Sequence, residues 1–100
     1  MIRATTPTHN FDLPFDTSLI QKIKIAYSQN DKVILCKSEA DCTFNEKRVT
    51  VKLTQEETAL FDCRDFAEIQ IRVLTLGNDA LASEIMKVYV GQCLDDEVMT

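Results

Sequence analysis

The chain has one hundred residues, enough for one domain and too few for two independent cores. Eleven basic against sixteen acidic side chains leave a formal charge of −5, which argues against a general nucleic-acid binder, because neutralising phosphate takes clustered Lys and Arg. No apolar run approaches the ~20 residues of a membrane span, and MIRATTPTHNFDLPF lacks the basic-then-apolar order of an export signal. The expectation is a mature chain beginning at or near Met1 and made in a cytoplasm. An apolar content of 45% supplies a core without a structural metal.

Alternation of apolar and polar residues is the main signal along the chain. NFDLPF alternates Phe11, Leu13 and Phe15, and Pro14, which cannot donate a ladder hydrogen bond, points to an edge strand or a strand end. QKIKIAYS sets Ile23, Ile25 and Tyr27 against Lys22 and Lys24. KVILCKS is apolar on both parities and reads as a strand covered on both faces, and DCTFN as a short strand with Cys42 and Phe44 on one face. KRVTVKL sets Val49, Val51 and Leu53 against Arg48, Thr50 and Lys52. AEIQIRVLT sets Ala67, Ile69, Ile71 and Val73 against Glu68, Gln70 and Arg72.

The last apolar segment, ALASEIMKVYV, changes phase near Ser83 and Glu84. A bulge, which adds one residue to one strand, restores the facing; a short amphipathic helix over ALASEIMK is the competing reading. Turn chemistry separates the strands at Ser28–Asp31, at Asn45–Lys47 and at Gly77-Asn78, where positive φ is open to Gly and tolerated by Asn. One helical signal interrupts them. In LTQEETALF, Thr54 followed three residues later by Glu57 has capping-box spacing, and the acidic first turn suits the helix dipole. About seven antiparallel strands, with one helical turn near residues 54–60, imply an all-β sandwich or small barrel in a single domain, 1–100.

Residues able to carry chemistry are few. Cys36, Cys42, Cys63 and Cys93 include no CxxC pair, the usual mark of a structural zinc site, and read as free thiols, some of them in the core. His9 is the single histidine, which excludes a His-based metal cluster, and it reads as an exposed residue of an N-terminal arm. Two glycines cannot build a phosphate loop. Glu56 and Glu57 point about 100° apart on a helix and do not converge on one substrate. Asp95, Asp96 and Glu97 lack EF-hand spacing and read as a solvated tail. Lys22, Lys24, Arg48, Lys52 and Arg72 lie on outward strand faces, where a basic stripe competes with ordinary cross-strand charge pairing.

VKLTQEETALFD followed by AEIQIRVLTLGNDALASEIMKVYV resembles small proteins encoded by phages and prophages of Gram-positive gut bacteria, and TTPTHNFDLPFDTSLI extends that resemblance over nearly the whole chain. The second half is also similar to the immunoglobulin-like N-terminal domain of phage baseplate upper proteins. The resemblance implies an immunoglobulin-like sandwich acting as a non-enzymatic virion structural protein of tail or baseplate. It would be located in the virion, and in the host cytoplasm during assembly. Its partners would be other virion proteins and its own copies, with no nucleic acid, membrane, cofactor, metal or catalytic residue. A capsid-associated protein (head decoration or head fibre) and a soluble carbohydrate-binding or adaptor module are the alternatives. The arm Ile2–His9 and the tail Leu94–Thr100 are the expected contact segments. Free thiols predict equal masses with and without reductant; a stable loss of about four protons without reductant would instead mean two disulfides.

Overall fold

The computed structural model describes residues 1–100. Eight strands follow in order: β1 (Thr8–Asp12), β2 (Ile20–Gln29), β3 (Lys32–Ser38), β4 (Cys42–Asn45), β5 (Arg48–Lys52), β6 (Asp65–Thr75), β7 (Ala80–Ala82) and β8 (Met86–Val90). A single helical turn, α1 (Gln55–Thr58), separates β5 from β6, and 3-10 turns occupy Thr17–Leu19 and Glu39–Asp41. All strand pairs are antiparallel, in a three-stranded sheet ordered β1-β5-β4 and a five-stranded sheet ordered β3-β2-β6, with β7 and β8 sharing the far edge of β6. These are the orders of strands B-E-D and C′-C-F-G of an immunoglobulin sandwich. An isolated parallel bridge, Ile2 to Gly91, lays the N-terminus beside the end of β8.

The period-two pattern is realised directly. Ile23, Ile25 and Tyr27 of β2, Val49 and Val51 of β5, and Ala67, Ile69, Ile71 and Val73 of β6 are buried in one core with Leu53, Phe61 and Val90. Each fully buried aliphatic side chain stabilises the sandwich by about 1.5–3 kcal/mol. β1 is an edge strand, and it ends before Pro14.

Tight hairpins need positive φ, and non-glycine residues supply it. Asn30 (φ 52°) and Asp31 (φ 63°) form the two-residue turn between β2 and β3, the type I′ pattern. Glu46 (φ 55°) opens the two-residue turn between β4 and β5. In the β6–β7 turn Asn78 takes φ 65°, whereas Gly77 stays at negative φ.

Two apolar runs resolve differently from their surface reading. KVILCKS is not covered on both faces: β3 is an edge strand, Val33 is 60% exposed and Cys36 is exposed. Its unbroken apolar run marks a bulge. Tyr27 pairs with Leu35 and Ser28 with Val33, so Ile34 is the extra residue, and Ile34 and Leu35 both pack on the core. The phase change in ALASEIMKVYV is likewise one extra residue and no helix. Gln70 and Ile71 of β6 lie opposite Ser83, Glu84 and Ile85, between the pairs Arg72–Ala82 and Ile69–Met86. Ser83 holds this bulge, exchanging main-chain and hydroxyl hydrogen bonds with Ile71 (Ser83 N–H to Ile71 O, 2.8 Å; Ile71 N–H to Ser83 Oγ, 2.9 Å). The seventh expected strand is therefore two, β7 and β8.

LTQEETALF folds as its spacing dictates. Glu57 N–H donates to Thr54 Oγ1 at 3.2 Å, and Thr54 N–H donates to Glu57 Oε1 at 2.8 Å. The turn carries the chain from one sheet to the other and sinks Thr58 and Phe61 into the interior. Thr54→Ala is expected to cost ~0.5–2 kcal/mol and to lower the thermal midpoint by several degrees; an unchanged midpoint would show that the cap carries no weight.

Candidate functional site

The inner faces hold an unexpected set of polar side chains. His9 is half-buried in β1 opposite Val51, and its Nδ1 shares a 2.7 Å hydrogen bond with the Tyr27 hydroxyl from the facing sheet. The rings also stack, with centroids 5.7 Å apart. Burial is the main force lowering the His9 pKa, assisted by the positive N-terminus, and burial raises that of Tyr27. Cys42, in β4 on the other side of Val51, is also pushed up, by burial first and then by Asp41; its thiol donates to Ser38 O at 3.3 Å. Each group is held in its neutral form, so Cys42 is no activated thiolate. His9 is therefore not an exposed arm residue, because an alternating strand begins at Thr8 and turns its ring inward.

Lys37, 8% exposed, points inward from edge strand β3 and forms an ion pair with Glu57. Burial opposes the Glu57 charge, but hydrogen bonds from Lys37 and Thr54 outweigh it and leave its pKa lowered. Gln29, also buried, clamps the chain beyond α1: its Nε2 donates to Asp62 O at 2.8 Å and its Oε1 accepts from Asp62 N–H at 2.7 Å. Glu56 stays exposed on the other side of the turn, apart from Glu57.

Both terminal segments reach the same place. Arg3 donates through Nε to Phe61 O and through Nη2 to Ala59 O, each at 2.9 Å, and pairs with Asp96. Thr58 Oγ1 accepts from Thr5 N–H and donates to Thr5 O. The Gln55 side chain bonds the main chain of Met99 in both directions, at 3.0 and 2.8 Å. The segment Ile2–His9 is thus docked into the sandwich, because its backbone groups find partners there, and is not a free arm. Tail residues Asp96 and Met99 are anchored, whereas Leu94 is 98% exposed. Asp95 Oδ1 accepts from Glu97 N–H, and no three His, Cys, Asp or Glu side chains, the tail acids included, form a metal-holding group.

The outer faces carry the accessible chemistry. Arg48 and Lys52 lie in the three-stranded sheet, Arg48 paired with Asp12 at 2.9 Å. Lys22, Lys24 and Arg72 lie in the five-stranded one. The five bases belong to different sheets and form no single stripe. At the other end of β6, Phe66 (53% exposed) and Tyr89 (49%) are cross-strand partners in an edge-to-face pair, centroids 5.4 Å apart. Their even-numbered and odd-numbered neighbours on β6 face opposite ways, which is the signal that places Phe66 outside. An apolar cleft of about 280 Å³ lies between Leu13, Phe15, Ile71, Val73 and Leu81 at the sandwich rim. The chain matches no protein-family model, and no curated protein or solved structure is significantly similar to it.

The interior pair sets a pH dependence. An unfolded His9 takes up its proton near pH 6.5, and the folded environment resists that proton. Stability is therefore full above about pH 6.5 and is lost as pH falls through that value toward the lower folded pKa. The depressed Glu57 contributes above its ordinary value of 4.5 and is lost as pH falls further, through its folded pKa. Thermal midpoints measured from neutral to mildly acidic pH are expected to fall in the native protein and to flatten near pH 6 in His9→Gln; an equal slope in both would contradict the assignment.

Proposed function

We propose that this chain is a non-enzymatic structural protein of a phage particle, associated with its tail or baseplate, that works through contacts with other virion proteins and with its own copies. The sequence resemblance motivates the virion setting. The single observation that favours surface contact over chemistry is where the unspent side chains lie. On the outer face of the five-stranded sheet Phe66 and Tyr89 are cross-strand partners and Val33 and Ile85 line one depression, all about half exposed or more, whereas His9, Tyr27 and Cys42 are at least partly buried and neutral. Apolar side chains gathered on one side suit protein contact, in which burial of aromatic anchors dominates the energy.

The Phe66–Tyr89 pair also favours a second reading, carbohydrate binding, which needs aromatic rings on the surface. Phe44 is exposed too, at the edge of the other sheet, so the aromatics are not all committed to the core.

Particles purified from the phage or prophage that encodes the chain are expected to contain it in fixed stoichiometry by mass spectrometry, in the tail fraction. Phe66→Ser/Tyr89→Ser is expected to lower incorporation several-fold while the far-ultraviolet dichroism stays β-rich. Recovery in the head fraction would move the protein to the capsid. Absence from particles, with glycan binding lost in the same double variant, would replace the virion reading with the carbohydrate one.

A further inference from the structure

We infer that the outer face of the five-stranded sheet at Lys22, Lys24 and Arg72 receives the acidic segment Leu94–Val98 of a second copy, so that copies join head to tail. This rests on the assembly reading above and names one of its contacts.

The basic row has no ion-pair partner. Lys24 and Arg72 are direct cross-strand partners, and Lys22 lies two residues along β2, opposite Leu74. Like charges directly opposite each other destabilise a sheet. None of the three belongs to an ion pair; those formed are Arg3–Asp96, Lys37–Glu57 and Arg48–Asp12. Backbone hydrogen bonds, one of them from Ile23 N–H to Oε2 at 3.4 Å, are the main cause that lowers the Glu39 pKa, and the charges of Lys22 and Lys24 add to it less. On β6 the row is flanked by Gln70 and Leu74, and the other neighbouring outward positions are small, Ala26, Ser38, Ala80 and Ala82. A depression of about 210 Å³ runs along it, with Leu74, Ala80 and Leu81 as its apolar lining.

The segment LDDEV has the complementary order, three acids between two apolar residues. Leu94 is almost wholly exposed, without a place in its own chain. Asp96 is engaged by Arg3, which leaves Asp95 and Glu97 without a cation. The segment leaves β8 beside the start of β6, at the pair Asp65–Val90, whereas Arg72 lies seven residues along β6, roughly 23 Å away at strand rise. The acids around that end, Glu56, Asp62, Asp65 and the tail, therefore face a basic row on a neighbour more readily than on their own chain. An interface between two different patches is heterologous and continues into a ring or a filament.

Light scattering and sedimentation at low salt test this with two neutralised variants, Lys24→Gln/Arg72→Gln and Asp95→Asn/Glu97→Gln, all four positions being exposed. The native protein is expected to associate beyond a dimer, with added salt dispersing it. Each variant alone should associate roughly tenfold more weakly. An equimolar mixture of the two variants should stop at a one-to-one dimer, because only one intact face meets one intact tail. Native protein that stays monomeric up to millimolar concentration, variants that associate like the native chain, or a mixture no different from its components would each overturn the interface. Particle incorporation, read separately, would still decide the virion assignment.

Discussion

The Glu57 carboxylate is the constraint from which the rest of the structure follows. One oxygen closes the capping box on Thr54 N–H, and the other meets Lys37 from the edge of the opposite sheet. The same four-residue turn therefore fixes the direction of the chain between β5 and β6 and ties it to β3. With the turn in place, Thr58 holds Thr5, Arg3 closes the carbonyls of Ala59 and Phe61, and Gln55 takes the main chain of Met99. Both ends of the chain are thereby placed by a segment in its middle.

This arrangement has a consequence for the free sheet edges. A strand such as β3, with Val, Ile and Leu in succession and no partner beyond it, is a template for unwanted pairing. Lys37 opposes that: it is an inward-pointing charge on the edge strand, neutralised only by an acid of its own chain. Removing water from such a pair is costly, so its value lies as much in selecting one arrangement as in net stability. The sandwich spends its interior polar groups on holding the two sheets together, and its accessible groups face outward from β2, β6 and β8.

Period two was sufficient for most of this architecture. The odd-numbered residues of β2 and β6 face the core as their alternation requires, and Thr54 with Glu57 announced the helical turn. Bulges were the principal obscurity. In KVILCKS an extra residue makes a one-sided strand look two-sided, and local sequence does not distinguish that from burial on both faces. In ALASEIMKVYV the phase change was visible, because Ser83 and Glu84 separate Leu81 from Met86, Val88 and Val90 on the opposite parity. Lys37 and Gln29 were hidden differently: each continues the inward parity of its strand, at Leu35 and at Tyr27, but a charged or amide side chain is ordinarily assigned outside. His9 was obscured by its position before the first clear apolar alternation. Its partner, Tyr27, comes from the other sheet, and such tertiary pairing has no local signature.

The most direct test of the account is the coupling between Lys37 and Glu57, measured by denaturant unfolding of Lys37→Met, Glu57→Gln and the double variant. Glu57→Gln keeps an oxygen for the Thr54 cap while removing the charge, so the cycle isolates the inter-sheet contact. A coupling energy of about 1 kcal/mol or more is expected for residues in direct contact. Additivity within about 0.5 kcal/mol would show that the turn and the edge strand are independent, and would remove Glu57 from the centre of the structure.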